Sequence, residues 1–306
     1  MTLTAADVTY PGARRPDRRR RVEADGVGIA VSEWGDEAAP PLLLAHGGFD
    51  FAGTFDVFAP MLADAGWRVV SWDHRGHGDS DHVHLYNWSA DTRDALAVLD
   101  STTREPVPVI GHSKGGGLML QLSEACPHRV THYVSIDGLP TPHPHPDVAD
   151  HERTRLLGKE LDDWLGHRRR IATAVRKPGT IHDLAKRRQR MNPRLSDEWL
   201  QYLVTVGGRE DADGWRWKID PALRFGGFGP HRPQWTLARL PCLSPKMLAF
   251  LGMQPEPMGW GARPADIEPF LPAGARLEVF EDVGHFVHIE RPRDVADVVL
   301  DFIGRR

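Results

Sequence analysis

A chain of 306 residues and 34.2 kDa is long enough to bury a substantial core without disulfide or metal staples. Its 41% apolar residues together with 30 glycines reach the usual globular share, and glycine with the 25 prolines stays below the low-complexity range, which excludes a disordered chain. The net charge of −4 offers no basic field for nucleic acid, and Cys126 and Cys242 form neither a C-x-x-C pair nor a secreted framework, so each reads as a small buried hydrophobe of the reducing cytosol.

Arg14, Arg15 and the run Arg18 to Arg21 open the chain as a solvated basic lead-in. No apolar stretch follows to complete a twin-arginine export signal, and no run elsewhere reaches the ~18 apolar residues of a membrane span. The expectation is a cytoplasmic protein with no nucleic-acid or membrane partner, acting as a monomer or homodimer.

From Val22 to Trp34 an alternating segment turns at Asp25-Gly26, which predicts a β-hairpin. Short apolar strands then alternate with helical patterns. Strands are predicted at Leu42 to Ala45, Trp67 to Trp72, Val107 to Ile110, Val130 to Ile136, Met247 to Leu251 and Leu277 to Phe280. Helices are predicted at Thr54 to Ala65, Ser89 to Leu99, Lys114 to Ala125 and Asp294 to Ile303. This rhythm implies an α/β fold with a mainly parallel eight-stranded sheet covered on both faces.

The rhythm breaks between Asp137 and Met247, where no strand is predicted. We therefore expect a core of residues 1–138 and 237–306, with residues 139–236 inserted after the sixth strand as a helical cap. Ser196, followed by Asp197 and Glu198, makes a good helix start there, because a hydroxyl and two carboxylates satisfy free amides and the positive helix end. Residues 151–190 carry 12 Lys and Arg against 5 Asp and Glu, which reads as a solvated charged face rather than an anion-attracting rim. His143 and His145, interleaved with prolines, read as a stiff linker. Trp164, Trp199, Trp215, Trp217 and Trp235 serve either as the insertion's own core or as the lining of a bulky apolar or aromatic substrate site.

The chemical signal is Gly111-His112-Ser113-Lys114-Gly115, lying directly after one predicted strand and directly before a helix. Such a turn must be sharp enough to expose Ser113, so side chains two residues to either side would collide with strand and helix. Gly116 and Gly117 extend the small surface. With these residues the sequence resembles the α/β-hydrolase family, whose nucleophile elbow has this form. Three further segments are similar to the family's motifs in its chain order. They are His46-Gly47-Gly48, like the oxyanion loop; Asp73 to Ser80, like its D-x-R-G-x-G-x-S turn; and Gly284-His285 with Glu290 and Pro292, like the loop carrying the catalytic histidine.

A serine hydroxyl needs a base, and His285, on a loop after the last core strand, is placed to supply it, with His288 in support. The backbone N–H groups of Lys114 and of Gly48 or Phe49 are the candidate oxyanion donors. The acid has two candidates. Glu256 follows the later strand, where the family usually carries an acid, and is preferred; Asp137 ends the sixth strand, a position some members use. Asp73 is assigned to its own turn. His74, His77, His82 and His84 do not have a zinc spacing, and no cofactor or metal is implied.

Serine at the elbow excludes relatives that need a carboxylate nucleophile. The resemblance then implies hydrolysis of an ester, lactone or thioester of a small molecule through an acyl-serine. Carbon-carbon bond hydrolysis and cofactor-free perhydrolysis stay open. So does a non-catalytic ligand-binding protein on the same fold.

Overall fold

The computed structural model describes residues 7–84, 86–139, 153–223 and 233–305, and for 153–157, 160 and 233–235 the backbone alone. His143 and His145, and the side chain of Trp235, lie outside what is described.

The alternating and apolar runs form β1 (Arg18–Ala24), β2 (Val27–Trp34) and β3 (Pro41–Ala45), followed by α1 (Phe58–Asp64) and β4 (Arg68–Trp72). Next come α2 (Trp88–Thr102), β5 (Val107–His112), α3 (Lys114–Ala125) and β6 (Val130–Ile136). The insertion supplies α4 (Arg153–Ile171), α5 (Ile181–Gln189), α6 (Asp197–Gly207), the strands β7 (Gly208–Asp211) and β8 (Gly214–Trp217), and α7 (Pro233–Arg239). The chain returns through β9 (Lys246–Gly252), α8 (Pro264–Ile267), β10 (Arg276–Phe280), α9 (Val287–Glu290) and α10 (Pro292–Ile303).

Eight strands join one sheet in the order β1-β2-β4-β3-β5-β6-β9-β10, antiparallel at β1-β2 and β2-β4 and parallel thereafter. Side chains alternate across it. Leu43, Val70 and Val109 enter one core with α2 and α3, whereas Leu42, Leu44, Val69 and Ile110 enter the other with α1 and α10. Each such fully buried aliphatic side chain contributes roughly 1.5–3 kcal/mol.

Two expectations change near the sheet. The arginine run is part of edge strand β1 rather than a lead-in, and Arg20 is held by Glu33, whose carboxylate also takes Arg68. Charged residues on an edge strand discourage pairing with other sheets. Cys126 is half-buried and Cys242 exposed, so neither is the fully buried hydrophobe expected.

The insertion is not strand-free. Strands β7 and β8 form an antiparallel hairpin whose turn is Ala212-Asp213, followed by Gly214 at φ +122°. Asp-Gly is a turn signal, but its flanks Glu210, Asp211 and Arg216 hide the alternation. Ser196 caps α6 as expected, its Oγ accepting from the Trp199 amide at 3.1 Å. Trp199 and Trp215 pack with Leu184, Leu200 and Tyr202 in a cluster that Val57 and Phe286 of the core also enter, and Trp217 stacks on Phe51. Among the described residues no helix is long and apolar enough to cross a membrane.

Candidate active site

The parallel register brings three strand ends to one edge. His112 of β5 pairs with Ile136 of β6, and Ile136 pairs with Phe250 of β9. The residues that follow therefore emerge side by side at the carboxyl end of the sheet, where ligands of open α/β sheets bind.

Ser113 occupies the turn from β5 to α3 with φ +52° and ψ −121°. For a residue with a Cβ this conformation costs on the order of 1–3 kcal/mol, and local hydrogen bonds retain it. Its N–H donates to Ile136 O at 3.0 Å, and its carbonyl accepts from Gly116 N at 2.9 Å. Its hydroxyl caps no amide of α3. A Cβ on Gly111 would stand 2.2 Å from Gly115 O, and one on Gly115 would stand 2.1 Å from Ala45 O, both main-chain obstacles.

His285 lies in the loop between β10 and α9 and is 2% exposed. Its Nδ1 donates to Asp137 Oδ2 at 2.5 Å. Asp137 follows β6 directly, has φ +45°, and accepts from Gly252 N through Oδ1 at 3.3 Å. The ring is thus oriented by Asp137. Glu256, the preferred acid from sequence, meets the same residue elsewhere: its Oε2 accepts the backbone N–H of His285 at 2.9 Å. Burial pushes the Glu256 carboxyl up from its ordinary value. Glu290 Oε1 takes the Gly284 amide at 2.8 Å, so two glutamates hold the histidine loop by its main chain while one aspartate holds the ring.

Among the described residues no hydrogen bond joins Ser113 to His285. Catalytic hydrogen bonds in unliganded sites commonly tighten only when substrate arrives. His112 connects the two segments, its Nε2 donating to His285 O at 3.0 Å with ring centroids 4.7 Å apart. His288 is buried between His112, Phe55 and Phe58, and burial takes it down to about 3. Neither of its ring nitrogens has a hydrogen-bond partner, so it acts as packing beneath the site.

The loop after β3 carries Gly48 and Phe49, the candidate oxyanion donors. A Cβ on Gly47 would lie 3.3 Å from Ser113 Cβ, which sets this loop directly against the serine. The Phe49 amide donates to His77 Nε2 at 3.1 Å. That commitment leaves Gly48 as the loop's available donor. Opposite it, the Lys114 amide is the first of α3, with no intrahelical carbonyl to meet. The Lys114 ammonium turns away to Asp91 at 2.7 Å.

The histidines of the Asp73–Ser80 turn brace this loop. His74 Nε2 donates to His46 O at 2.8 Å, and the His74 amide donates to His46 Nε2 at 3.0 Å. His77 Nδ1 donates to Arg75 O at 3.0 Å. Burial keeps all three rings neutral, taking His74 down to about 3 and His46 and His77 well below their ordinary value. Asp73 accepts from Ala52 N and Asp79 N, joining its own turn to the loop, as its assignment required. His82 and His84 lie apart, near Asp220 and Arg168. Among the described residues no three side chains are grouped to hold a metal.

Sequence reasoning overlooked one residue here. Arg188 of α5 is 9% exposed, and its guanidinium donates to Phe49 O. Its signal was the spacing Ile181, Leu184, Ala185, Arg188, a single helical face whose other members are all buried.

Comparison with known proteins agrees with this fold. A family model described as alpha/beta hydrolase fold matches residues 40–292. The chain is 26% identical to the sn-1-specific diacylglycerol lipase of Mus musculus over 88% of this chain and 82% of that one. It is 34% identical to a serine hydrolase-like protein of Dictyostelium discoideum, where the match spans 37% of this chain and 32% of the relative. Among solved structures, the thioesterase domain from the curacin biosynthetic pathway superposes with a TM-score of 0.79 at 22% identity, covering 93% of this chain and 99% of that one.

Proposed function

The chain belongs to the α/β-hydrolase family, and from that membership we propose that it is a serine hydrolase cleaving a carboxylic ester or thioester through an acyl-Ser113 intermediate. The observation that carries this reading is a strained, glycine-flanked Ser113 at the sheet edge where Asp137 holds the ring of His285 by Nδ1. That bond leaves Nε2 as the nitrogen that takes the Ser113 proton.

In this reading Ser113 Oγ attacks the carbonyl carbon as its proton passes to His285 Nε2, and Asp137 stabilises the imidazolium. Negative charge on the carbonyl oxygen is met by the amides of Gly48 and Lys114. The proton on Nε2 then goes to the departing alcohol or thiol. Water then attacks the acyl-serine as its proton passes to His285, which returns that proton to Ser113 Oγ as the acid leaves. Glu256 and Glu290 fix the loop that presents the ring.

The mouse relative's lipase name supports an ester as the scissile group. Trp199 and Trp215 lend no support to an aromatic substrate, since both are buried in a cluster shared with Val57 and Phe286 of the core. Labelling with a fluorophosphonate tests the proposal. Wild type should be modified and should hydrolyse p-nitrophenyl butyrate, and Ser113→Ala should abolish both. A folded wild type that resists the probe would favour a binding protein on this fold.

A further inference from the structure

Phe49 sits at a pivotal place in the oxyanion loop in a conformation unusual for an aromatic residue, φ +57°. Two hydrogen bonds hold it from opposite sides. His77 of the core takes its N–H, and Arg188 of the insertion takes its C=O. The peptide groups on either side of Phe49 are thereby both fixed, and the path of the chain directly after Gly48 depends on a contact that the core alone does not provide.

Arg188 is poorly placed for a purely stabilising role. It is nine-tenths buried, and its Nε and Nη2 have no hydrogen-bond partner. The nearest carboxylate, Asp50, stands 3.9 Å from Nη2, beyond hydrogen-bond reach, and both its oxygens are also unpartnered. A buried guanidinium so incompletely matched is less favourable to folding than an apolar side chain of similar volume. What it does supply is one directed bond to the loop and a positive charge near the position where negative charge develops. A few residues later, Arg194 reaches the histidine loop, donating to Glu290 and to Asp282 O. The same stretch of the insertion therefore grips both loops of the site.

We infer that Arg188 is a positioning residue for the transition state: seated on the Phe49 carbonyl, it aligns the Gly48 amide, so the oxyanion site is complete only with the insertion docked. The inference rests on the serine-hydrolase reading. Its test compares Arg188→Ala, Arg188→Met and Arg188→Lys with Arg190→Ala, which removes an equal charge from an exposed position beside it. For Arg188→Ala we expect kcat for p-nitrophenyl butyrate to fall ~30–300-fold with KM within about threefold, somewhat less than the ~10²–10³-fold cost of deleting an oxyanion donor itself. Affinity for a boronic acid that mimics the tetrahedral state should fall in parallel, Lys should restore part of the rate, and free guanidinium should rescue Arg188→Ala by at least ~5-fold. Arg190→Ala should match wild type. If Arg188→Ala fails to fold, Arg188→Met and Arg188→Lys carry the comparison. A folded Arg188→Ala or Arg188→Met with kcat within about threefold of wild type, or with KM alone raised, overturns the inference. If Ser113→Ala retains hydrolysis, the serine reading has failed instead; if Ser113→Ala is dead and Arg188→Ala is not, only the role of Arg188 falls.

Discussion

Two groups of buried histidines serve the site in opposite ways. His46 and His77 commit both ring nitrogens to the main chain and His74 commits its Nε2, which turns these imidazoles into braces between the loop after β3 and the turn after β4. His285 has a carboxylate on one nitrogen and no hydrogen-bonding group of the described protein on the other. A histidine bonded at both nitrogens to the backbone has no free position at which to trade a proton; a histidine oriented by an acid at one nitrogen keeps the other for chemistry. The difference lies in the second partner, since both groups are buried alike.

Acid should break the bracing group first. His46, His74, His77, His112 and His288 stay uncharged in the fold well below their ordinary value of 6.5, held down chiefly by burial. The unfolded chain takes up protons there, so stability is complete above about pH 6.5 and drains as pH falls, on the order of 1 kcal/mol per pH unit for each histidine. Asp56, which burial lifts to about 6, works in the opposite sense between that value and 3.8, and Asp50, Asp73, Asp94 and Glu256, also lifted by burial, act in the same sense as Asp56. Thermal unfolding should show the midpoint dropping roughly 10 °C between pH 7.5 and 5.5. His288→Leu should make the slope shallower by about one proton. A midpoint flat with pH would mean the rings are charged in the fold.

The working histidine is tested through its acid. Asp137→Asn should lower kcat by ~10³–10⁴-fold, because the ring loses both its orientation and its counter-charge. Glu256→Gln should cost less than ~30-fold, since an amide oxygen still accepts the His285 N–H. Steady-state ester hydrolysis measures both, and the reverse order would return the acid's role to Glu256.

A further substitution sharpens the brace. His77→Leu leaves the Phe49 amide without its acceptor and should lower kcat ~10–100-fold with a loss of about 1–3 kcal/mol in stability, read by urea unfolding. His77→Gln, which keeps an acceptor within reach, should recover much of both.

The serine turn and the histidine loop were legible in the sequence because each is a local pattern: apolar strand, glycine-flanked turn, helix. The acid was not. Asp137 and Glu256 both follow strands that run side by side in parallel, so spacing delivers each to His285, and only side-chain direction separates the ring from the main chain. The left-handed backbone of Asp137 sets that direction, and no spacing rule encodes it. Arg188 was hidden in another way. Lys186, Arg187 and Arg188 read together as a solvated run, whereas helical periodicity sends the third of them inward with Ile181 and Leu184.

The glycines around Ser113 constrain how this protein can vary. Because the atoms blocking Gly111 and Gly115 belong to the polypeptide backbone, no single repacking elsewhere makes room for a methyl group at either position. Random mutagenesis selected for function should leave both untouched, and new specificities would have to be sought in the inserted segment above, where accommodating a change means moving side chains instead of strands.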